Sequence, residues 1–153
     1  MLRIRAILIL LFLIPFAVGA QLKGAALKLE GTWTFKENPG FEKWERVGEE
    51  MIGRAYRVNK MGDTSLVEEM HISSVNNRLI YQSITFNRTA DTVMRVTHNF
   101  VGKRRKMMFT NIARDLPYAI KYSFGFFNKR KLHIQIHFHE GEKAKKMVLK
   151  KQD

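Results

Sequence analysis

Met107–Phe127 reads MMFTNIARDLPYAIKYSFGFF, and the fold of the chain turns on how this stretch divides. Met107–Thr110 has the short apolar run of a strand, and Asn111–Asp115 is a polar connection. Pro117 then opens a longer strand in which Tyr118, Ile120, Tyr122, Phe124 and Phe126 hold alternate positions. Alternate residues of a strand share a face, so these five form one aromatic-rich side. Period two rather than period 3.6 is the mark of a sheet with one side on a core.

The same alternation, broken by turn residues, extends in both directions. The expected strands are Thr32–Lys36, Phe41–Val47, Met51–Val58, Thr64–Ile72, Arg78–Phe86, Thr92–Phe100, Lys106–Thr110, Pro117–Phe126, Lys131–His139 and Ala144–Lys150. Asn38-Pro39-Gly40, Gly62-Asp63 and Asn128-Lys129-Arg130 are among the turn signals between them. Ten strands joined by short turns close most economically into a single up-and-down antiparallel barrel, which leaves no exposed edge. The fold class is therefore all-β, with residues 31–153 as the barrel domain and 21–30 as a lead-in.

Residues 1–20 read as a signal peptide. Arg3 and Arg5 form a basic start, Ala6–Phe16 is an apolar run, and Val18 and Ala20 are small residues ahead of Gln21. The run is short for a bilayer span of about 20 residues. Cleavage between Ala20 and Gln21 and export to the periplasm or medium are expected, with no transmembrane segment in the mature chain. Cysteine is absent, which excludes disulfides, thiolate metal sites and cysteine nucleophiles. Of 27 lysines and arginines, Arg3 and Arg5 leave with the leader; the other 25 against 14 acidic residues make a formal charge of about +11. Such a field attracts anionic envelope surfaces and polyanions without choosing among them. The aromatics alternate onto the apolar faces instead of interleaving with the basic clusters, so no specific nucleic-acid reader is expected.

Several motifs carry a family resemblance. Leu29-Glu30-Gly31-Thr32-Trp33 resembles an opening L-x-G-x-W, Glu42-Lys43-Trp44 an acidic residue beside a tryptophan, and Glu68–Ile72 an E-x-x-x-I strand. Phe109–Pro117 with Ile120 and Tyr122 aligns without a gap onto F-E-N-P-x-H-D-F-P-x-x-I-x-Y. Together they resemble the bacterial domain-of-unknown-function family 6265, whose members look like exported lipocalin-type (calycin) barrels. Thr110, Ile112, Arg114 and Leu116 depart from that pattern, standing for Glu, Pro, His and Phe. A guanidinium in place of the histidine cannot act as a general base near neutral pH. The resemblance implies a fold, and the family brings no assigned activity with it.

The sharpest chemical candidate is Glu68. Leu66, Glu68, Met70 and Ile72 alternate on one face that its apolar members mark as interior. A carboxylate there needs a partner or a changed protonation state, and Arg54 or Arg57 on the preceding strand is the expected partner. Glu42, on the face of Trp44, offers a second carboxyl. The loop residues Asn111, Arg114 and Asp115 are a second candidate, either binding an anionic group at the rim or simply satisfying turn donors. His133, His137 and His139 share a face, and His137 with His139 could ligate a metal ion, but Leu132, Ile134, Ile136 and Phe138 claim the interior. No cofactor is expected.

The sequence thus leads to a binding barrel for a small apolar or amphipathic ligand, with Trp33, Trp44, Glu68, Asn111, Arg114, Asp115, Tyr118 and Tyr122 as its site. The alternatives are an enzyme using an inward carboxylate at the barrel mouth and a basic protein seated on anionic envelope components.

Overall fold

The computed structural model describes residues 24–76, 78–89, 92–103, 107–113, 116–139 and 141–153. The proposed leader, Arg114 and Asp115 lie outside them. Ten strands run β1 (Gly31–Phe35), β2 (Gly40–Val47), β3 (Glu50–Val58), β4 (Thr64–Val75), β5 (Arg78–Thr89), β6 (Thr92–Lys103), β7 (Met108–Asn111), β8 (Ala119–Phe124), β9 (Lys131–His137) and β10 (Lys145–Lys151). Each pairs antiparallel with its chain neighbours, and β1 closes on β10 through Trp33↔Lys151, Thr34↔Lys150 and Phe35↔Leu149. The result is a closed, ten-stranded, up-and-down barrel of the calycin/lipocalin kind.

The inner face carries the alternate apolar residues that the pattern indicates. Trp33, Trp44, Met51, Met70, Ile72, Leu79, Tyr81, Phe100, Phe109, Leu132 and Leu149 are essentially without solvent exposure and pack as one cluster. One end of the barrel is capped by the lead-in. Ala26–Leu29 forms a single 3-10 turn whose Ala26 and Leu29 are fully buried in that cluster. The Trp33 indole N–H donates to the Leu29 carbonyl at 2.5 Å, fixing the turn to the first strand. At this capped end lie the β2–β3, β4–β5 and β8–β9 connections. The β1–β2, β3–β4, β7–β8 and β9–β10 connections surround the opposite end.

Three expected faces are corrected by the strand geometry. Ala55 pairs with Glu68 but the adjacent Tyr56 pairs with Leu66, so Val67 is an extra residue, a β-bulge. A bulge resets the alternation. Leu66 therefore points outward and is 36% exposed, while Val67 packs against the core. Phe126 and Phe138 are likewise not interior, because β8 ends at Phe124 and β9 at His137. Both lie in turns and are exposed. Pro117 stands before β8 rather than in it, and Lys36 lies just past the end of β1.

Candidate functional site

Cross-strand register carries one inner row around the barrel wall, Trp33↔Glu42↔Ala55↔Glu68↔Thr85. Adjacent strands are roughly 4.8 Å apart, so Glu42 and Glu68 stand on either side of the small Ala55 on the same inner row. Glu42 is only 4% exposed. Its Oε2 accepts a 2.9 Å hydrogen bond from the Trp44 indole N–H. Trp44 lies flat on β3 over Gly53; a Cβ there would sit 2.7 Å from three atoms of the indole ring. Gly53 therefore sets the ring, and the ring sets the carboxyl.

Glu68 is largely buried, and its Oε1 accepts a hydrogen bond from the Ser83 hydroxyl. His98 faces Ser83 across β5 and β6, close enough to favour the ionised form of Glu68. Neither Arg54 nor Arg57 takes the expected part. Arg54 lies on the outer face, with its guanidinium 3.1 Å from Glu69 and 3.6 Å from Glu45, and Arg57 is exposed. Arg54 pairs with Glu69 across β3 and β4, so the pleat carries it away from Glu68.

Beside the carboxyls, the Tyr81 and Tyr122 hydroxyls lie 3.3 Å apart, and the Tyr122 hydroxyl donates to Met70 Sδ at 3.6 Å. Tyr122 meets Trp44 edge-on at 6.0 Å between ring centroids, and Tyr81 packs on Phe100 and Phe109. The electrostatics follow from this burial. Loss of solvent, aided by the charge of Glu68 and opposed by the Trp44 hydrogen bond, raises the Glu42 carboxyl to about 7. Burial also raises Glu68, while Ser83 and His98 hold it back. Both tyrosines are pushed well above the usual phenol range, first by burial, and so remain protonated donors. The cluster is thus a pair of carboxyls, both biased by burial toward the protonated form, beside two phenol donors.

Of the residues singled out in the sequence, Trp33, Trp44, Glu68 and Tyr122 come together around this interior. The Trp33 ring is covered by Phe124 at 5.9 Å and by Lys151 Nζ at 5.4 Å. Asn111 and Tyr118 belong instead to the connection after β7. Asn111 Oδ1 accepts from the Ala113 N–H at 3.0 Å, and its Nδ2 donates to the Pro117 carbonyl at 3.3 Å, as a turn residue does. Tyr118 is half-buried. His137 ends β9 and His139 lies in the following turn, so the two do not share a strand. Among the described residues no group of three or more His, Asp or Glu side chains converges on a metal position.

Ser83, Tyr81 and His98 were not anticipated. The sequence carries a signal for each, since Tyr81 and Ser83 alternate with Leu79, and His98 with Phe100. On β5, however, Ile80, Ile84 and Phe86 supply an equally apolar opposite phase. Compared with models of protein families, with curated proteins and with solved structures, the chain matches none, so its barrel and this interior cluster are what its function is argued from.

Proposed function

We propose that this is an exported small-molecule-binding barrel, cleaved between Ala20 and Gln21, that takes an amphipathic ligand through the end opposite the 3-10 cap. The observation that carries the reading is the pair of inward carboxyls, Glu42 and Glu68, on one row of the wall. Two buried acids without a cation between them are costly unless protonated. A ligand head group that donates hydrogen bonds or carries positive charge would offset that cost, with Glu68, the more accessible of the two, as its anchor. Phe35, Val67, Ile136 and Met147, partly buried at the margin of the core, offer apolar contacts for the rest of such a molecule. The resemblance to family 6265 agrees with export and with a calycin-type barrel.

The same raised carboxyls are what an enzyme would need. Glu42 is sealed beneath Trp44, however, and a general acid must reach its substrate within hydrogen-bond distance. This favours binding over catalysis. Native mass spectrometry of the protein purified from its own host, beside a Glu68→Gln variant, tests the reading. A small molecule that accompanies the natural protein and is lost in the variant is the expected result. Bare protein in both preparations would overturn it.

A further inference from the structure

The β8–β9 connection at the capped end exposes two adjacent aromatic rings. Phe126 is 90% and Phe127 96% exposed, and they meet edge-to-face at 4.9 Å. A closed barrel has no need to leave side by side at a hairpin tip the two large apolar side chains that are the most exposed among the described residues, and an apolar patch rimmed by polar groups marks an interaction site. The rim is cationic. Lys129, Arg130 and Lys131 follow within four residues of Phe127, Lys131 faces Lys150 across β9 and β10, and Lys28 is exposed on the 3-10 turn at the same end. Asp153 neutralises Arg130. Lys129 and Lys131 pair with no carboxylate among the described residues. Val47 and Val75, at the tips of two other hairpins of this end, are also more than half exposed. At the opposite end the exposed Met61, Ile112, Leu116 and Phe138 are spread over three connections rather than paired at one tip.

We infer that the capped end docks on the surface of an anionic lipid bilayer, with Phe126 and Phe127 inserted at the headgroup level and Lys129 and Lys131 against the lipid phosphates. Aromatic rings favour that level of a bilayer, and lysines beside them add an attraction that salt weakens. The turn suits the task because it inserts apolar rings without unpairing any strand. The Gly125 N–H donates to the Lys131 carbonyl at 2.9 Å, and the Lys131 N–H to the Asn128 carbonyl at 3.0 Å, so the tip is internally bonded. Docked this way, the barrel turns its opposite end toward solvent.

The test is co-sedimentation of the chain lacking residues 1–20, which keeps all ten strands and the 3-10 turn, with phosphatidylglycerol–phosphatidylcholine vesicles and with phosphatidylcholine alone. Binding to the anionic vesicles that falls with salt is expected. Phe126→Ser with Phe127→Ser should weaken it about tenfold or more, as two partly buried rings are lost. Lys129→Ala with Lys131→Ala should weaken it about 25-fold, at roughly fivefold per charge. Both pairs are exposed, at the β8–β9 turn and the first residue of β9, and an unchanged melting temperature would show that the barrel survives them. Because Trp33 and Trp44 are buried, the indole introduced by Phe126→Trp would report insertion through a blue shift on anionic vesicles. No vesicle binding, equal binding to neutral vesicles, or binding indifferent to the phenylalanines would overturn the inference. So would a dimer that the serine variant dissociates, since a second copy would then be the occupant.

Discussion

Glu68 and Glu69 are consecutive residues of β4, and their carboxyls titrate in opposite directions. Glu68 faces the lumen, where burial raises it. Glu69 faces outward, where hydrogen bonds from His71 and Arg54 lower it. The contrast repeats on β2, with Glu42 raised to about 7 inside and Glu45 lowered outside by Lys43. No difference in residue type is involved. The pleat alone decides which carboxyl meets protein and which meets water and cations. Interior acids are therefore pushed toward the protonated form, Glu42 as far as neutrality, and exterior ones are tied into an ion-pair network.

The largest effect that can break this contrast comes from Glu42. Its folded value lies above the ordinary one of 4.5, so its contribution to stability is fully present below about pH 4.5 and is lost as pH rises through about 7. The loss amounts to about 3 kcal/mol. Glu42→Gln keeps an acceptor for the Trp44 indole but cannot ionise. Denaturant unfolding across this range should show the variant gaining on the natural protein with rising pH, by about that amount. A flat difference would mean that the carboxyl is solvated.

Gly53→Ala comes next. The added methyl must displace the Trp44 ring, which its Cβ would approach to 2.7 Å. Overpacking of this kind costs about 1–3 kcal/mol, and movement of the ring would also take the indole N–H from Glu42. The melting temperature should fall, with a change in the pH profile that a simple packing defect would not produce.

Ser83→Ala is a smaller perturbation, of about 1 kcal/mol where Glu68 is ionised. It removes the donor that holds Glu68 down, so the carboxyl should titrate higher still, as carboxyl NMR shifts would report. An unmoved titration would leave burial, opposed by His98, as what sets Glu68.

These positions also show what could be read from the chain and what could not. Period two placed Glu68, Glu42, Trp33 and Tyr122 on inner faces, because that inference needs only one strand at a time. The partner of Glu68 needed two. Arg54 lies on the adjacent strand, yet it faces the other side, and Ser83 is known as the partner only once β4 and β5 are in register. The bulge at Val67 and the ends of β8 and β9 were invisible for a related reason. Leu66, Phe126 and Phe138 continue an apolar alternation in sequence that the backbone does not follow.

The outer face gives the smallest effect and the clearest control. Glu69 is lowered, so the stability it contributes is present above about pH 4.5 and is lost as pH falls through its folded value. Glu69→Gln should therefore lose ground to the natural protein as pH rises through the folded value of Glu69 toward its ordinary 4.5, the reverse of Glu42→Gln. The magnitude is below about 1 kcal/mol, because Arg54 and Glu69 remain partly solvated. High salt should shrink it further, whereas the Glu42 profile, set by burial rather than by an exposed pair, should hardly respond. If both profiles shifted equally with salt, the two faces would share one dielectric environment, and Glu42 would lose its distinct protonation near neutrality. If only the outer one responded, the barrel wall would be acting as an electrostatic boundary one residue thick.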